Sequence, residues 1–135
     1  MPDFRKVTEA FSVAPQIAVD DIAAAADQGF VLVINNRPDG EAPDQPSSAR
    51  MAAAAQAAGV AYLHIPVRGG PTPEQVEAVR AAVAGADGPV LAFCRSGTRS
   101  IVTWSLGQAA SGRDRAELVK LGQGAGYDLS GVLGG

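Results

Sequence analysis

Three short apolar runs set the frame of the chain: FVLVIN (30–35), AYLHIP (61–66) and PVLAFC (89–94). Each follows a glycine or alanine-glycine turn, and the first and third are nearly continuous, the pattern of parallel strands covered on both faces. In the second, alternation places Tyr62, His64 and Pro66 on one side and Leu63 and Ile65 on the other. A weaker strand or hairpin is predicted within RKVTEAFSVAPQI (5–17), at an edge of the sheet. Between these runs the apolar spacing turns helical. VDDIAAAADQ (19–28) groups Ile22, Ala25 and Ala26 before Gly29, and SSARMAAAAQAA (47–58) groups Met51, Ala54, Ala55 and Ala58 before Gly59. TPEQVEAVRAAVAG (72–85) carries its own start signals: Thr72 as cap, Pro73 in the first turn, Gln75 to close a capping box, then a stripe of Val76, Val79 and Val83. Further helices are predicted within GTRSIVTWSLGQAA (97–110) and RDRAELVKLGQ (113–123).

This alternation predicts a three-layer α/β/α fold with a mainly parallel sheet and right-handed crossovers. Such sheets bind ligands beyond the carboxyl ends of their strands, which is where Cys94 falls. RPDGEAPDQPSS (37–48) is the one long polar loop, and the glycine-rich GQGAGYDLSGVLGG (122–135) is expected to drape over the surface.

Composition narrows the picture. With 135 residues, 47% hydrophobic and 19% charged, the chain fits one compact domain spanning 1–135. A net charge of −3 gives no general attraction to nucleic acid or anionic membrane, so neither is an expected partner, and any anion must be captured by a few placed groups. The start, MPDFRKVTEAF, lacks the pattern of a secretory signal and no run reaches membrane-spanning length, so a cytoplasmic location is expected. A single cysteine and a single histidine rule out an internal disulfide and the usual Cys/His zinc site. No metal or organic cofactor is expected, and a thiol that resolves Cys94 must come from another molecule.

The chemistry concentrates in FCRSGTRS (93–100). A cysteine between a buried strand and a helix start meets inward-facing amides and about half a positive charge from the helix dipole, which stabilises a thiolate. Gly97 lets the backbone turn, Ser96, Thr98 and Ser100 bring hydroxyls, and Arg99 can fork onto two oxygens of a tetrahedral anion. Arg95 can receive an anionic donor or remain a solvated loop charge. A buried cysteine is commonly mere core, but core packing requires neither the glycine nor the hydroxyls and arginines that follow.

Two resemblances attach to these residues. Cys94 and Arg99, with four residues between, resemble the active-site loop of rhodanese-like sulfurtransferases; tyrosine phosphatases place five residues there, and that count would put their arginine at Ser100. The succession VINNRPDGE, YLHIPV, TPEQ, GPVLAFCRSGTRS and terminal GYDLSG resembles the phosphatase-like domain of beta-lactamase-hydrolase-like proteins across nearly the whole chain. That resemblance implies a tyrosine-phosphatase-like fold, close to the dual-specificity phosphatases, in a family described with both activities.

The choice of reaction turns on a proton. A cysteine phosphatase uses an acid, usually aspartate, on the loop after the strand that here reads YLHIPV, and the corresponding RGGPTPE (68–74) has no aspartate. His64 and Glu74 are the nearest proton carriers, while Asp39 and Asp44 require the long polar loop to fold over the pocket. Sulfur transfer needs no acid. The expected function is therefore sulfur transfer: Cys94 takes sulfur from a small anionic donor as a persulfide and passes it to an external thiol. Phosphoester hydrolysis through a phosphocysteine is the alternative, and a non-catalytic anion-binding or thiol-sensing module is a third.

Arg37 and Asn36, at the end of the first long strand, and Arg68, on the loop facing the cysteine, are further pocket candidates. Arg37 could instead pair with Asp39 or Glu41. Trp104 is expected in the core, His64 as a hydrogen-bonded sheet residue, and the charges of GRDRAELVK on a solvated helix face.

Overall fold

The computed structural model of the protein describes residues 2–134. The elements run β1 (Arg5–Lys6), β2 (Phe11–Ala14), α1 (Asp21–Asp27), β3 (Leu32–Asn35), α2 (Ser48–Ala58), β4 (Ala61–His64), α3 (Pro73–Gly85), β5 (Val90–Phe93), α4 (Thr98–Ala110) and α5 (Arg115–Gly124). The five strands form one sheet in the order β1-β2-β5-β3-β4, parallel throughout except for the antiparallel β1–β2 pair.

Alternation along the strands sorts the core into two layers. Phe11 and Val13, Leu32 and Ile34, and Val90 and Ala92 face one side, where Val79 of α3, Ile101 and Trp104 of α4 and Leu118 of α5 meet them. Ala14, Val33, Leu91 and Phe93 face the other, against Ile22 and Ala25 of α1 and Met51 and Ala55 of α2. The Phe11 and Trp104 rings stack 4.9 Å apart at an interplanar angle of 4°, which fixes α4 over the sheet. The predicted capping box of α3 is present in full, with Thr72 accepting from the Gln75 backbone and Gln75 accepting from the Thr72 backbone. The fold is thus the expected mainly parallel α/β/α arrangement.

Two expectations are corrected. The amino-terminal hairpin is not wholly an edge: β1 is the edge strand, while β2 lies inside the sheet, paired with both β1 and β5. Periodicity reports which face a residue shows, not which neighbour its strand selects. The glycine-rich tail does not drape over the surface either. Leu129 and Leu133 are buried in the same layer as Trp104, and Arg115 of α5 donates to the Leu133 carbonyl. Among the described residues no helix is long and apolar enough to cross a membrane.

If the tail is core, truncating either leucine removes buried methyl groups from a packed site. Leu129→Ala or Leu133→Ala is expected to lower unfolding free energy by about 2–5 kcal/mol, measured by denaturant titration. A cost within a few tenths of a kcal/mol would be that of a surface residue.

Candidate active site

The register of the sheet brings the site together. Ala14, Asn35 and His64 end their strands level with Phe93, because Ala14 and Asn35 both pair with Phe93 and Asn35 pairs with His64. The residues that follow, Gln16, Asn36, Arg37, Val67 and Cys94, therefore leave the sheet at one edge. Cross-links between these loops hold them there: Asn36 N–H donates to the Phe93 carbonyl at 2.8 Å, Val67 N–H to that of Asn36 at 2.9 Å, and Gln16 N–H to that of Arg95 at 3.1 Å.

Cys94 is fully buried, and its Sγ accepts the Gly97 N–H at 3.2 Å. Gly97 is the residue before α4 and holds φ at +90°, a conformation that disfavours any side chain. Space forbids one as well, since a Cβ there would lie 2.1 Å from the Tyr127 hydroxyl. No side chain caps α4. Of its first-turn amides, Thr98 N–H reaches the Ser96 hydroxyl at 3.4 Å, and those of Arg99 and Ser100 have no partner among the described residues. An uncapped helix start beside a thiol is an anion-binding arrangement.

Arg99 completes it. Its Nη1 and Nη2 donate to the two Glu41 carboxylate oxygens at 2.8 Å each, and Nη1 donates again to the Val67 carbonyl at 2.8 Å. Three of the five guanidinium N–H groups are thereby used. The remaining pair, Nε–H and the second Nη2 hydrogen, lie on one edge and form a side-on fork for an oxyanion. Glu41 Oε1 also accepts from Arg37 Nε at 3.0 Å, and Arg37 Nη1 donates to Gln16 at 3.0 Å. Arg37 is buried, and the chain Gln16–Arg37–Glu41–Arg99 locks the guanidinium in place. The Arg99 hydrogen bonds, then those from Arg37, lower the Glu41 pKa from its ordinary value to about 2. The Glu41 bond raises that of Arg99, with the nearby Cys94 sulfur adding to it.

The remaining predicted residues divide. Ser96 and Thr98 are exposed, and the Ser96 hydroxyl donates to that of Thr98 at 3.0 Å. Ser100 is buried with its hydroxyl unpartnered. Arg95 and Arg68 are exposed. Asp39 is engaged at α2: its Oδ1 accepts the Ser48 N–H at 2.8 Å and so caps the start of that helix, a competing use for a carboxylate near a helix amino terminus. Asp44 is exposed, Glu74 sits exposed in the first turn of α3, and His64 Nε2 bonds the Arg37 carbonyl at 2.8 Å. Glu41 entered the sequence reading only as a structural partner for Arg37, and Gln16 and Tyr127 did not enter as site residues at all. No local pattern marks them, since Glu41 and Arg99 are 58 positions apart.

The depressed Glu41 pKa carries a stability consequence. A carboxylate whose folded pKa lies below its unfolded value stabilises the fold fully above the unfolded pKa, and that contribution fades as pH falls through the folded one. Glu41 is exposed and solvent screens its pairing, so Glu41→Gln is expected to be less stable than wild type at pH 7 by on the order of 1 kcal/mol. The gap should close between about pH 5 and pH 2. Parallel thermal melts of the two proteins across that range check it.

Known proteins share this sequence pattern and this fold. Residues 3–111 match the family described as beta-lactamase hydrolase-like protein, phosphatase-like domain. The beta-lactamase hydrolase-like protein of Agrobacterium fabrum is 39% identical over 126 residues, covering 92% of this chain; the chain spans only 29% of that relative's length. Among solved structures, a candidate phosphatase from Neisseria meningitidis superposes with a TM-score of 0.87 at 32% identity, covering 99% of this chain and 96% of its own. Human DUSP28 superposes with a TM-score of 0.68 at 20% identity, over 93% of this chain and 84% of its own, and speaks to the fold alone. The fold is thus that of the tyrosine and dual-specificity phosphatases. These likenesses support an enzyme of phosphatase type and give no support to the expectation of sulfur transfer. The chain belongs to the phosphatase-like domain family of the beta-lactamase hydrolase-like proteins.

Proposed function

We propose that the chain is a cysteine-dependent phosphatase acting on small aryl phosphates. The observation that carries this reading is Cys94 Sγ at the uncapped start of α4, with the Gly97 amide on the sulfur and the Arg99 guanidinium near it, in a phosphatase fold. Cys94 thiolate attacks phosphorus, the bond to the leaving oxygen breaks, and the phosphoryl group rests on sulfur while loop amides and Arg99 share its oxygens. Water then attacks phosphorus and returns phosphate and free thiolate.

The aryl restriction follows from the acids. Glu41, the carboxylate bound to Arg99, is ionised at neutral pH, and Asp39, Asp44 and Glu74 are engaged or exposed elsewhere. A phenolate departs without a proton far more readily than an alkoxide, so turnover should fall steeply from aryl to alkyl phosphates.

One observation favours a second reading. Only four residues separate Cys94 from Arg99, and the carboxylate at hand cannot supply a proton. Both suit a sulfur donor such as thiosulfate: the thiolate attacks the outer sulfur, sulfite leaves as an anion, and an external thiol removes sulfur from the persulfide. Both readings need a small anionic substrate; the second also needs a thiol acceptor.

Intact mass spectrometry separates them on one residue. After rapid quench with p-nitrophenyl phosphate, wild-type protein is expected to gain about 80 mass units as a phosphocysteine, and Cys94→Ser to gain none. A gain of about 32 mass units from thiosulfate, with no Cys94-dependent release of p-nitrophenol, would replace phosphatase by sulfur transfer. Arg99→Lys keeps the charge but loses the fork, and is expected to lower kcat/KM at least about a hundredfold.

A further inference from the structure

Tyr127 lies outside the residues 3–111 that match the family, yet it touches the loop on which the chemistry rests. Its hydroxyl donates to the Ser96 carbonyl at 2.8 Å. Ser96 C=O and Gly97 N–H belong to one peptide group, and a planar trans peptide points them in opposite directions. The Gly97 N–H at the far side of that plane is the one that donates to Cys94 Sγ at 3.2 Å. The peptide is therefore held from both sides, by phenol and by sulfur.

The geometry points to Tyr127 as a positioning residue: by holding the Ser96 carbonyl it aims the Gly97 amide at Cys94 and so stabilises the thiolate. The inference rests on the reading of Cys94 as nucleophile. One further feature fits it. Hydrogen bonds in series through one amide also polarise each other, so a donor on the oxygen strengthens the N–H as a donor.

The surroundings keep the phenol protonated. Burial chiefly, with the charge of Cys94 adding to it, raises the Tyr127 pKa above its ordinary value, while Arg5 opposes the shift. Arg5 of β1 lies over the ring, 5.2 Å from its centroid, and is itself bound by Asp3 at 2.7 Å. On the other side of the sulfur stands Arg99 of α4, backed by Glu41 and Arg37. No carboxylate is hydrogen-bonded to Cys94 among the described residues; the polar and charged groups near its sulfur are the Gly97 amide, Arg99 and Tyr127.

Tyr127→Phe tests this because it keeps the ring, its packing and the contact with Arg5, and removes only the hydroxyl. Cys94 is the sole cysteine, so the pH dependence of iodoacetamide alkylation reports it alone. The midpoint is expected to move up by about half a pH unit or more in Tyr127→Phe. An unchanged midpoint in a folded variant, with wild type well below the free-cysteine value of about 8.5, overturns the role of Tyr127 and leaves the nucleophile intact. A wild-type midpoint at that free value overturns both. Should Tyr127→Phe fail to fold, the wild-type Gly97 amide proton decides by NMR: its shift is expected to titrate with the alkylation midpoint, and a shift that ignores it overturns the proposal.

Discussion

Four parallel strands end at the same level, with Ala14, Phe93, Asn35 and His64 side by side, and that shared edge decides which loops can meet. Cys94 is the first residue past the central strand, where its backbone is still tied to β2 and its side chain has left the hydrophobic layers. Gln16, Arg37 and Val67 arrive from the neighbouring strands on either side. The contacts that join loops of different strands, such as Gln16 to Arg37 and Arg99 to Val67, would not survive a shift of one residue in register, because alternate residues point to opposite faces.

On this edge the charges balance in a chain. Glu41 lies between two guanidinium groups, and Arg99 lies between Glu41 and the sulfur. The carboxylate satisfies one edge of Arg99 and leaves the other for a ligand, so an incoming anion meets a cation already oriented. Pre-organisation of this kind lowers the reorganisation needed when charge develops on the substrate. It also restricts the chemistry. A carboxylate so strongly committed to two arginines holds no proton to give, and in the proposed reaction the leaving group departs without one.

Much of the scaffold was legible from local patterns. The buried runs at 30–35 and 89–94, the Thr72–Gln75 box and the glycine of the cysteine loop each announce their structure through properties of adjacent residues. What could not be read shares a common cause. The Glu41–Arg99 pair, the insertion of β2 beside β5 and the docking of Tyr127 under the Ser96 carbonyl all join residues distant along the chain, and nothing in either partner's neighbourhood names the other. The tail misled for a further reason: its glycines suggest a segment draped over the surface, but Gly122 provides the clearance into which Leu129 packs, with a Cβ there only 2.7 Å from the leucine. Loop spacing pointed to sulfur, whereas the family and the fold point to phosphatase chemistry, because spacing describes one segment and the fold describes how every segment around it is placed.

The central claim is that Cys94, the open amides of α4 and the free edge of Arg99 form one oxyanion cradle that Glu41 holds ready. A crystal structure with orthovanadate tests it most directly. The account predicts vanadium bonded to Cys94 Sγ, with its oxygens on the Arg99 and Ser100 amides and on the Nε edge of Arg99, while Glu41 keeps both of its bonds to that arginine. Vanadate bound away from Cys94, or seated there only after displacing Glu41 from Arg99, would contradict it.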